Sequence, residues 1–182
     1  MKTPLSFKDY WIRLVVIMMI SDKKIEKMLY YALQQVHHGS AYVWGGQGEK
    51  LKSFTVEKLV NMETSSDNAQ RVVNYMYKNR TRIDSLARIF DCSGLICKSL
   101  EYAGVVKKGF DSTANELYLK YDKKSISKRE RGNLIYKLNQ SGIAVHVGIV
   151  YDYDYVIEAK GRDVGVVKSK IDNSWNACNV VG

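Results

Sequence analysis

Two kinds of hydrophobic pattern divide the chain. In its N-terminal part, apolar positions recur at steps of three and four, as in residues 22–38 and 95–103, which indicates amphipathic helices. From Asn133 onward the apolar runs are short, β-rich and separated by turn residues, in NLIYKL, GIAVHVGIVYD, YVIEAKG and VGVVKSKI. Because helices come first and strands follow, the pattern predicts an α+β fold in which helices pack on an antiparallel β-sheet.

The length of 182 residues fits one domain with its own core and leaves little room for a second. Ser21 or Asp22 is expected to cap the first helix, and Gly39 to end it. Residues 1–20 then form an N-terminal extension whose apolar stretch, WIRLVVIMMI, is too short to span a membrane and has no small-residue cleavage site after it. We expect this extension to pack on the core as a helix or strand, with a signal or anchor as the alternative.

Charge and cysteine usage narrow the classes of partner and cofactor. The formal net charge of +9 favours an acidic partner, such as nucleic acid, anionic lipid or an anionic cell-wall polymer. The positive residues are scattered instead of forming one stripe, which argues against nucleic-acid recognition. The three cysteines form no CxxC pair and have no histidine near them in the sequence, so neither a disulfide framework nor a metal site is expected.

A cysteine stands at the predicted start of a helix in FDCSGLICKSL, residues 90–100. The N–H groups of a helix start stabilise a thiolate, as a nearby imidazolium does. Either Asp91 or Ser93 is expected to cap this helix. Cys92 is therefore a candidate nucleophile, whereas Cys97 faces another side of the helix and is predicted to be a core thiol.

A histidine and a glutamate lie on neighbouring predicted strands. In IAVHVGIVY, strict alternation places His146 on one face with Ala144, Gly148 and Val150, where small neighbours leave room above the ring. The turn DYD returns the chain so that Glu158 lies opposite His146 or one diagonal step away, where a carboxylate can set the imidazole tautomer. The alternative is that His146 and Glu158 do not interact and that both side chains face solvent. The order Cys, His, polar residue matches the nucleophile, base and orienting group of papain-like enzymes.

Four motifs, in this order, resemble the NlpC family of bacterial cell-wall cysteine peptidases. They are AYVWGG at 41–46, FDCSGLI at 90–96, RGNLIY at 131–136 and VHVGIVYD at 145–152. The resemblance extends over residues 41–171 or so and implies a papain-like core without a metal or organic cofactor. One departure is the polar, helical-looking segment 47–89, which we interpret as a helical insertion at the rim of the active site.

The resemblance also implies roles for individual residues. Cys92 matches the nucleophile and His146 the general base, with the backbone N–H of Cys92 contributing to the oxyanion hole. The third polar residue of the family falls on Glu158, although His, Asn or Gln is more usual there. Asn133 replaces the more usual Asp, a change that looks structural. The remaining substrate-binding or oxyanion residues that the resemblance implies are Tyr42, Trp44, Asp91 and Ser93.

The function implied is a peptidoglycan hydrolase that cleaves the stem peptide between D-γ-glutamate and a diamino acid. Its partners would be peptidoglycan or muropeptides, with no nucleic acid and no stable membrane insertion. A phage- or prophage-type lysin, made in the cytoplasm and acting at the wall, is the expected setting, with secretion as an alternative. Two other functions remain open: a papain-like amidase or acyltransferase acting on a lipid or another amide, and a catalytically inactive wall-binding module.

Overall fold

The computed structural model describes residues 7–181, with side chains described from Ser21 onward. The first helix, α1, spans Phe7–His37 and does not begin at Ser21 or Asp22, as the capping pattern predicted. A capping residue lowers the cost of starting a helix but does not force a start where helix formers stand on both sides. The packing of the extension's side chains lies outside the described residues. No helix within residues 7–181 has both the length and the apolar character of a bilayer span.

Within residues 38–181, four more α-helices and nine strands follow α1. The helices are α2 (Val56–Met62), α3 (Ser66–Lys78), α4 (Cys92–Tyr102) and α5 (Ala114–Lys120). The strands are β1 (Ala41–Tyr42), β2 (Gln47–Lys50), β3 (Arg88–Phe90), β4 (Asp122–Lys124), β5 (Leu134–Leu138), β6 (Ala144–Val150), β7 (Tyr155–Gly161), β8 (Gly165–Lys170) and β9 (Ala177–Val180). The four strands expected from Asn133 onward are β5 to β8.

The strands form two sheets. The larger has six strands in the order β4-β9-β5-β6-β7-β8, and every neighbouring pair in it is antiparallel. The smaller has the order β1-β3-β2, with β1 parallel to β3. The predicted α+β fold with helices on an antiparallel sheet is therefore confirmed.

The main core lies between α4 and the large sheet. The apolar stripe of α4 is fully buried, and it packs with the residues of β6 and β7 that point toward the helix. The Ser99 hydroxyl, which is also buried, is satisfied by donating to the Leu95 carbonyl at 2.7 Å. This packing fixes the start of α4 against β6. The core residues concerned are Leu95, Ile96, Cys97, Leu100, Val147, Ile149, Ile157 and Ala159.

The segment 47–89 is helical only in its middle, which corrects the predicted all-helical insertion. Thr55 caps α2 and Ser65 caps α3. At the two ends of the segment, β2 and β3 pair with each other as antiparallel strands. Strands this short are too brief to show an alternating hydrophobic pattern in the sequence. β3 owes its conformation to pairing with β1, which lies some fifty positions away in the sequence. A second core cluster holds the segment in place and includes Leu59, Val72, Tyr75, Ala41, Val43 and Ile89.

A bulge interrupts β6. The register with β5 shifts between Ala144 and His146, so that Val145 is an extra residue and is 57% exposed. Ala144 therefore turns into the main core with Val147, and not to the His146 face as strict alternation predicted. A bulge breaks the two-residue period, which a sequence pattern alone does not reveal.

Gly148 lies on the sheet face opposite α4, against the small core cluster that contains Trp175. A Cβ atom on Gly148 would come within 2.5 Å of Val156 Cγ2 and 3.1 Å of Trp175 Cη2. Gly148→Ala is therefore expected to lower the free energy of unfolding by about 1–3 kcal/mol through overpacking. Urea unfolding measures this, with exposed Val145→Ala on the same strand as the control. A Gly148→Ala protein as stable as the parent would contradict the packing described.

Candidate active site

Cys92 is the first residue of α4, and the cap of that helix is Asp91. One carboxylate oxygen of Asp91 accepts hydrogen bonds from the Gly94 N–H at 2.7 Å and from the Ser93 hydroxyl at 3.0 Å. The other oxygen accepts one from the Gly45 N–H at 3.1 Å. Of the two caps that the sequence left open, Asp91 is the one used, and it also holds the glycine turn beside Cys92.

The Cys92 thiol is protonated at neutral pH. Burial, followed by the Asp91 carboxylate, raises its pKa to about 11, and the N–H groups of Val147 and of the helix start offset this only in part. The N–H groups of the helix start act on the pKa of this thiol in the expected direction, but desolvation of the thiolate outweighs them. A nearby base must take the proton before the sulfur can act as a nucleophile.

His146 lies in the part of β6 that borders Cys92. The residue before it, Val145, lines the same cleft as Cys92, and the N–H of the residue after it, Val147, acts on the thiol. The Nε2 atom of His146 is 2.8 Å from Glu158 Oε2. No hydrogen bond engages Nδ1 within residues 21–181, Cys92 included, so this nitrogen remains able to accept a proton.

Glu158 is almost completely buried, with 1% of its surface exposed. Besides its bond to His146, it accepts a hydrogen bond from the Ser169 hydroxyl, and the Lys160 ammonium lies 3.8 Å from the same carboxylate oxygen. Burial alone would raise the pKa of Glu158, but the hydrogen bonds from His146 and Ser169, together with the nearby Lys160 charge, hold it below its ordinary value. The carboxylate is therefore charged at neutral pH and stabilises positive charge on the imidazole.

The strand register explains why these two side chains meet. β6 pairs with β7 at Ile149 with Ile157 and at Val150 with Val156. Continuing this register places Glu158 opposite Gly148, one diagonal step from His146, as the sequence spacing allowed. On the same face the His146 ring packs against the buried Trp175, with 5.4 Å between ring centroids. The ring is thus held by one hydrogen bond and one aromatic contact.

A cleft of about 320 Å³ opens over Cys92. Tyr42 forms part of its wall and is 8% exposed, and Trp44 stands at its edge with 54% of its surface exposed. Burial raises the pKa of Tyr42, and the nearby Cys92 adds to the increase, so its hydroxyl stays neutral. A more polar pocket of about 490 Å³ adjoins the cleft along Trp44. The other residues that line the cleft are Asp91, Ser93, Thr113, Ala114, Ala144 and Val145.

The structure thus brings all seven sequence-derived site residues to one region and adds four others. Ser169 and Trp175 support the His146–Glu158 pair, whereas Glu63 and Arg162 lie behind Tyr42 and Trp44. In the strand VGVVKSKI, Ser169 lies two residues after Val167 and therefore on the same face of the sheet as Glu158. The alternation of side chains along the strand could have indicated this position. The other three lie at loop or cap positions, where no periodic pattern marks a residue. Within residues 21–181 no group of three His, Cys, Asp or Glu side chains could hold a metal ion.

The sequence profile of the NlpC/P60 family matches residues 39–181. The chain belongs to the NlpC/P60 family. The resemblance that the four motifs indicated is therefore confirmed, and this match includes the segment 47–89 within the domain. No curated protein sequence matches this NlpC/P60 chain.

Solved structures of low sequence identity share the fold of this NlpC/P60 chain. The P60 domain of antigen MAP1204 from M. avium subspecies paratuberculosis superposes with a TM-score of 0.59 at 19% identity, covering 88% of this chain and 96% of that one. The peptidoglycan hydrolase RipB of Mycobacterium tuberculosis gives 0.59 at 17%, covering 88% and 66%. RipD of the same organism, described as a non-catalytic NlpC/p60 protein adapted to peptidoglycan binding, gives 0.55 at 17%, covering 87% and 97%.

Replacing Glu158 by Gln removes the buried charge but keeps the shape of the side chain. Because the pKa of Glu158 is lower in the folded protein than in the unfolded chain, its contribution to stability is full above the ordinary value of about 4.3 and is lost as the pH falls through the folded value. Glu158→Gln is therefore expected to flatten the pH dependence of the unfolding free energy in this acid range. We also expect turnover to fall about 10-fold, because the imidazolium loses its counter-charge.

Urea unfolding at a series of acid pH values tests the stability part of this prediction. Glu57→Gln, which neutralises an exposed carboxylate on α2, is the matched control and should leave the slope unchanged. Equal slopes for the Glu158→Gln protein and the parent would contradict the role given to the buried carboxylate.

Proposed function

We propose that this NlpC/P60 domain is a cysteine peptidase that cleaves the stem peptide of bacterial peptidoglycan at the bond between D-γ-glutamate and a diamino acid. The observation that carries the proposal is the hydrogen bond between His146, on the strand that borders Cys92 in an open cleft, and the buried Glu158 on the next strand. A buried carboxylate and a histidine beside a cysteine at a helix start form the usual arrangement for acyl transfer through a thioester.

The first half of the reaction forms the acyl-enzyme. His146 Nδ1 takes the proton of the Cys92 thiol as the sulfur bonds to the carbonyl carbon of the γ-glutamyl amide, and the carbonyl electron pair moves to oxygen. The backbone N–H of Cys92 donates to that oxyanion. As the tetrahedral carbon collapses, the C–N bond breaks and His146 returns the proton to the leaving amine, which leaves a thioester on Cys92.

The second half regenerates the enzyme. His146 takes a proton from water as the water oxygen bonds to the thioester carbon. The C–S bond then breaks, and the proton returns to the sulfur of Cys92. Throughout the cycle Glu158 holds the imidazole by its Nε2 and stabilises its positive charge. The products are a free D-glutamate γ-carboxylate and the amine of the diamino acid.

Tyr42, Trp44, Asp91 and Ser93 would contact the bound peptide, because all four line the cleft. Asp91 and Ser93 are already joined to each other, so they would act mainly by shaping the base of the cleft. The net charge of +9 suits an anionic wall polymer as the partner.

A non-catalytic wall-binding role is the second candidate. It is favoured by the raised pKa of the Cys92 thiol, which would leave the sulfur inert if His146 did not take its proton. RipD, which has the same fold, is described as non-catalytic. The two roles differ in one measurable respect, since only the peptidase releases new chain ends.

The test is digestion of purified diaminopimelate-type and lysine-type peptidoglycan, analysed by mass spectrometry. A new free D-glutamate γ-carboxyl end, seen with the parent protein and absent with Cys92→Ala, supports the peptidase and identifies its bond. Retention on the wall without release of fragments from either chemotype would overturn the peptidase in favour of the binding role. Cleavage of lipid amides without wall digestion would instead point to an acyltransferase or amidase.

A further inference from the structure

A buried ion pair joins the segment 47–89 to the large sheet directly behind the cleft. Glu63, at the C-terminal end of α2, has a completely buried side chain. The Arg162 Nε donates to its Oε2 at 2.6 Å, and the Arg162 side chain is itself only 13% exposed. Arg162 lies in the turn between β7 and β8, just after the strand that carries Glu158. A buried charge pair needs a reason beyond stability, because burying both charges is costly.

Both members of the pair also contact the cleft wall. The Arg162 guanidinium lies over the Tyr42 ring, 5.2 Å from its centroid. The second oxygen of Glu63 accepts a hydrogen bond from the Trp44 N–H at 3.0 Å. Tyr42 and Trp44 are the two aromatic residues that line the cleft over Cys92. The pair therefore holds one wall residue by its ring and the other by its backbone.

We propose that Glu63 and Arg162 are positioning residues through which the segment 47–89 sets the Tyr42–Trp44 wall and so determines how tightly substrate binds beside Cys92. Neither residue lines the cleft, so both act through the aromatic residues. Without the pair, the Tyr42 ring loses its cation contact and the Trp44 N–H loses its acceptor. The wall then samples more conformations, and substrate binding weakens.

A second ion pair makes it possible to distinguish positioning of the aromatic wall from mere attachment of the segment 47–89 to the large sheet. Arg71 on α3 pairs with Asp163, the residue after Arg162, so it links the same two parts of the chain. Both of its side chains are about half exposed, and neither lines the cleft. Asp163→Asn therefore weakens the same interface without touching the aromatic wall, and it is the matched control.

The informative variant is the double replacement Glu63→Leu with Arg162→Met. Removing both charges avoids leaving one of them buried and unpaired, so this protein is expected to fold. Relative to Asp163→Asn, we expect its KM for a muropeptide to rise about 10-fold with a smaller change in kcat, because wall geometry affects binding more than the chemical step. Arg162→Lys keeps the charge but not the planar guanidinium, and should give an intermediate KM.

A second readout does not depend on the proposed function. Cys92 is alkylated either with iodoacetamide or with a bulky maleimide, and peptide mass spectrometry measures the rate of each reaction. In the double variant, the ratio of the maleimide rate to the iodoacetamide rate is expected to rise at least about threefold, because a loosened wall admits the larger reagent. If the parent cuts no wall, this ratio alone decides the inference. An unchanged ratio, or equal changes in the Asp163→Asn protein, would overturn it.

Discussion

Cys92→Ala is expected to lower the rate of stem-peptide cleavage by about 10⁴-fold or more, because the thioester cannot form without the sulfur. The fold should be unaffected, since the Asp91 side chain, not the Cys92 side chain, caps α4. Binding to insoluble peptidoglycan should also persist, because the cleft keeps its other lining residues. The rate of appearance of new D-glutamate γ-carboxyl ends measures the loss, and sedimentation with purified wall measures binding.

Cys97→Ala is the matched control for this prediction. It removes a thiol from the same helix, but from its buried core face, one and a half turns away from the cleft. Its cleavage rate should stay close to that of the parent, although its stability falls somewhat because a small cavity replaces the sulfur. Substantial cleavage by Cys92→Ala would exclude the thioester mechanism, and loss of cleavage by Cys97→Ala alone would place the reactive thiol elsewhere.

His146→Gln is expected to reduce turnover by about 10³-fold, which lies within the range for loss of a general base. Gln can still donate a hydrogen bond to Glu158, so the buried carboxylate keeps a partner. Without the imidazole, the Cys92 thiol must ionise by itself, and burial has raised its pKa to about 11. Alkylation of Cys92 near neutral pH should therefore be slower than in the parent, in which His146 takes the proton as the sulfur reacts.

The rate of iodoacetamide labelling at Cys92, followed across pH, tests this directly and needs no wall substrate. His38→Gln is the control, because His38 pairs with Asp84 at 2.7 Å and does not line the cleft. Its labelling profile should match that of the parent. An unchanged profile in His146→Gln would mean that this imidazole does not take the thiol proton.

The local sequence pattern was sufficient to predict secondary structure wherever neighbouring residues decide the conformation. The buried stripe of α4 and the strands β5 to β8 both follow from hydrophobic periods within a few residues. The diagonal meeting of His146 and Glu158 could also be anticipated, because a short turn fixes the register of two adjacent strands. The motif resemblance assigned Cys92, His146 and Tyr42 to one active site.

Long-range contacts decided the rest, and they did so for identifiable reasons. β3 became a strand because β1 and β2 pair with it, although its own residues carry no strand period. The bulge at Val145 moved Ala144 to the other face, since an extra residue resets the alternation. The Cys92 thiol has a raised pKa instead of a lowered one because the surrounding fold desolvates it, and desolvation depends on packing that no local window contains. The pairing of Glu63 with Arg162, 99 residues apart, likewise exists only in the folded chain.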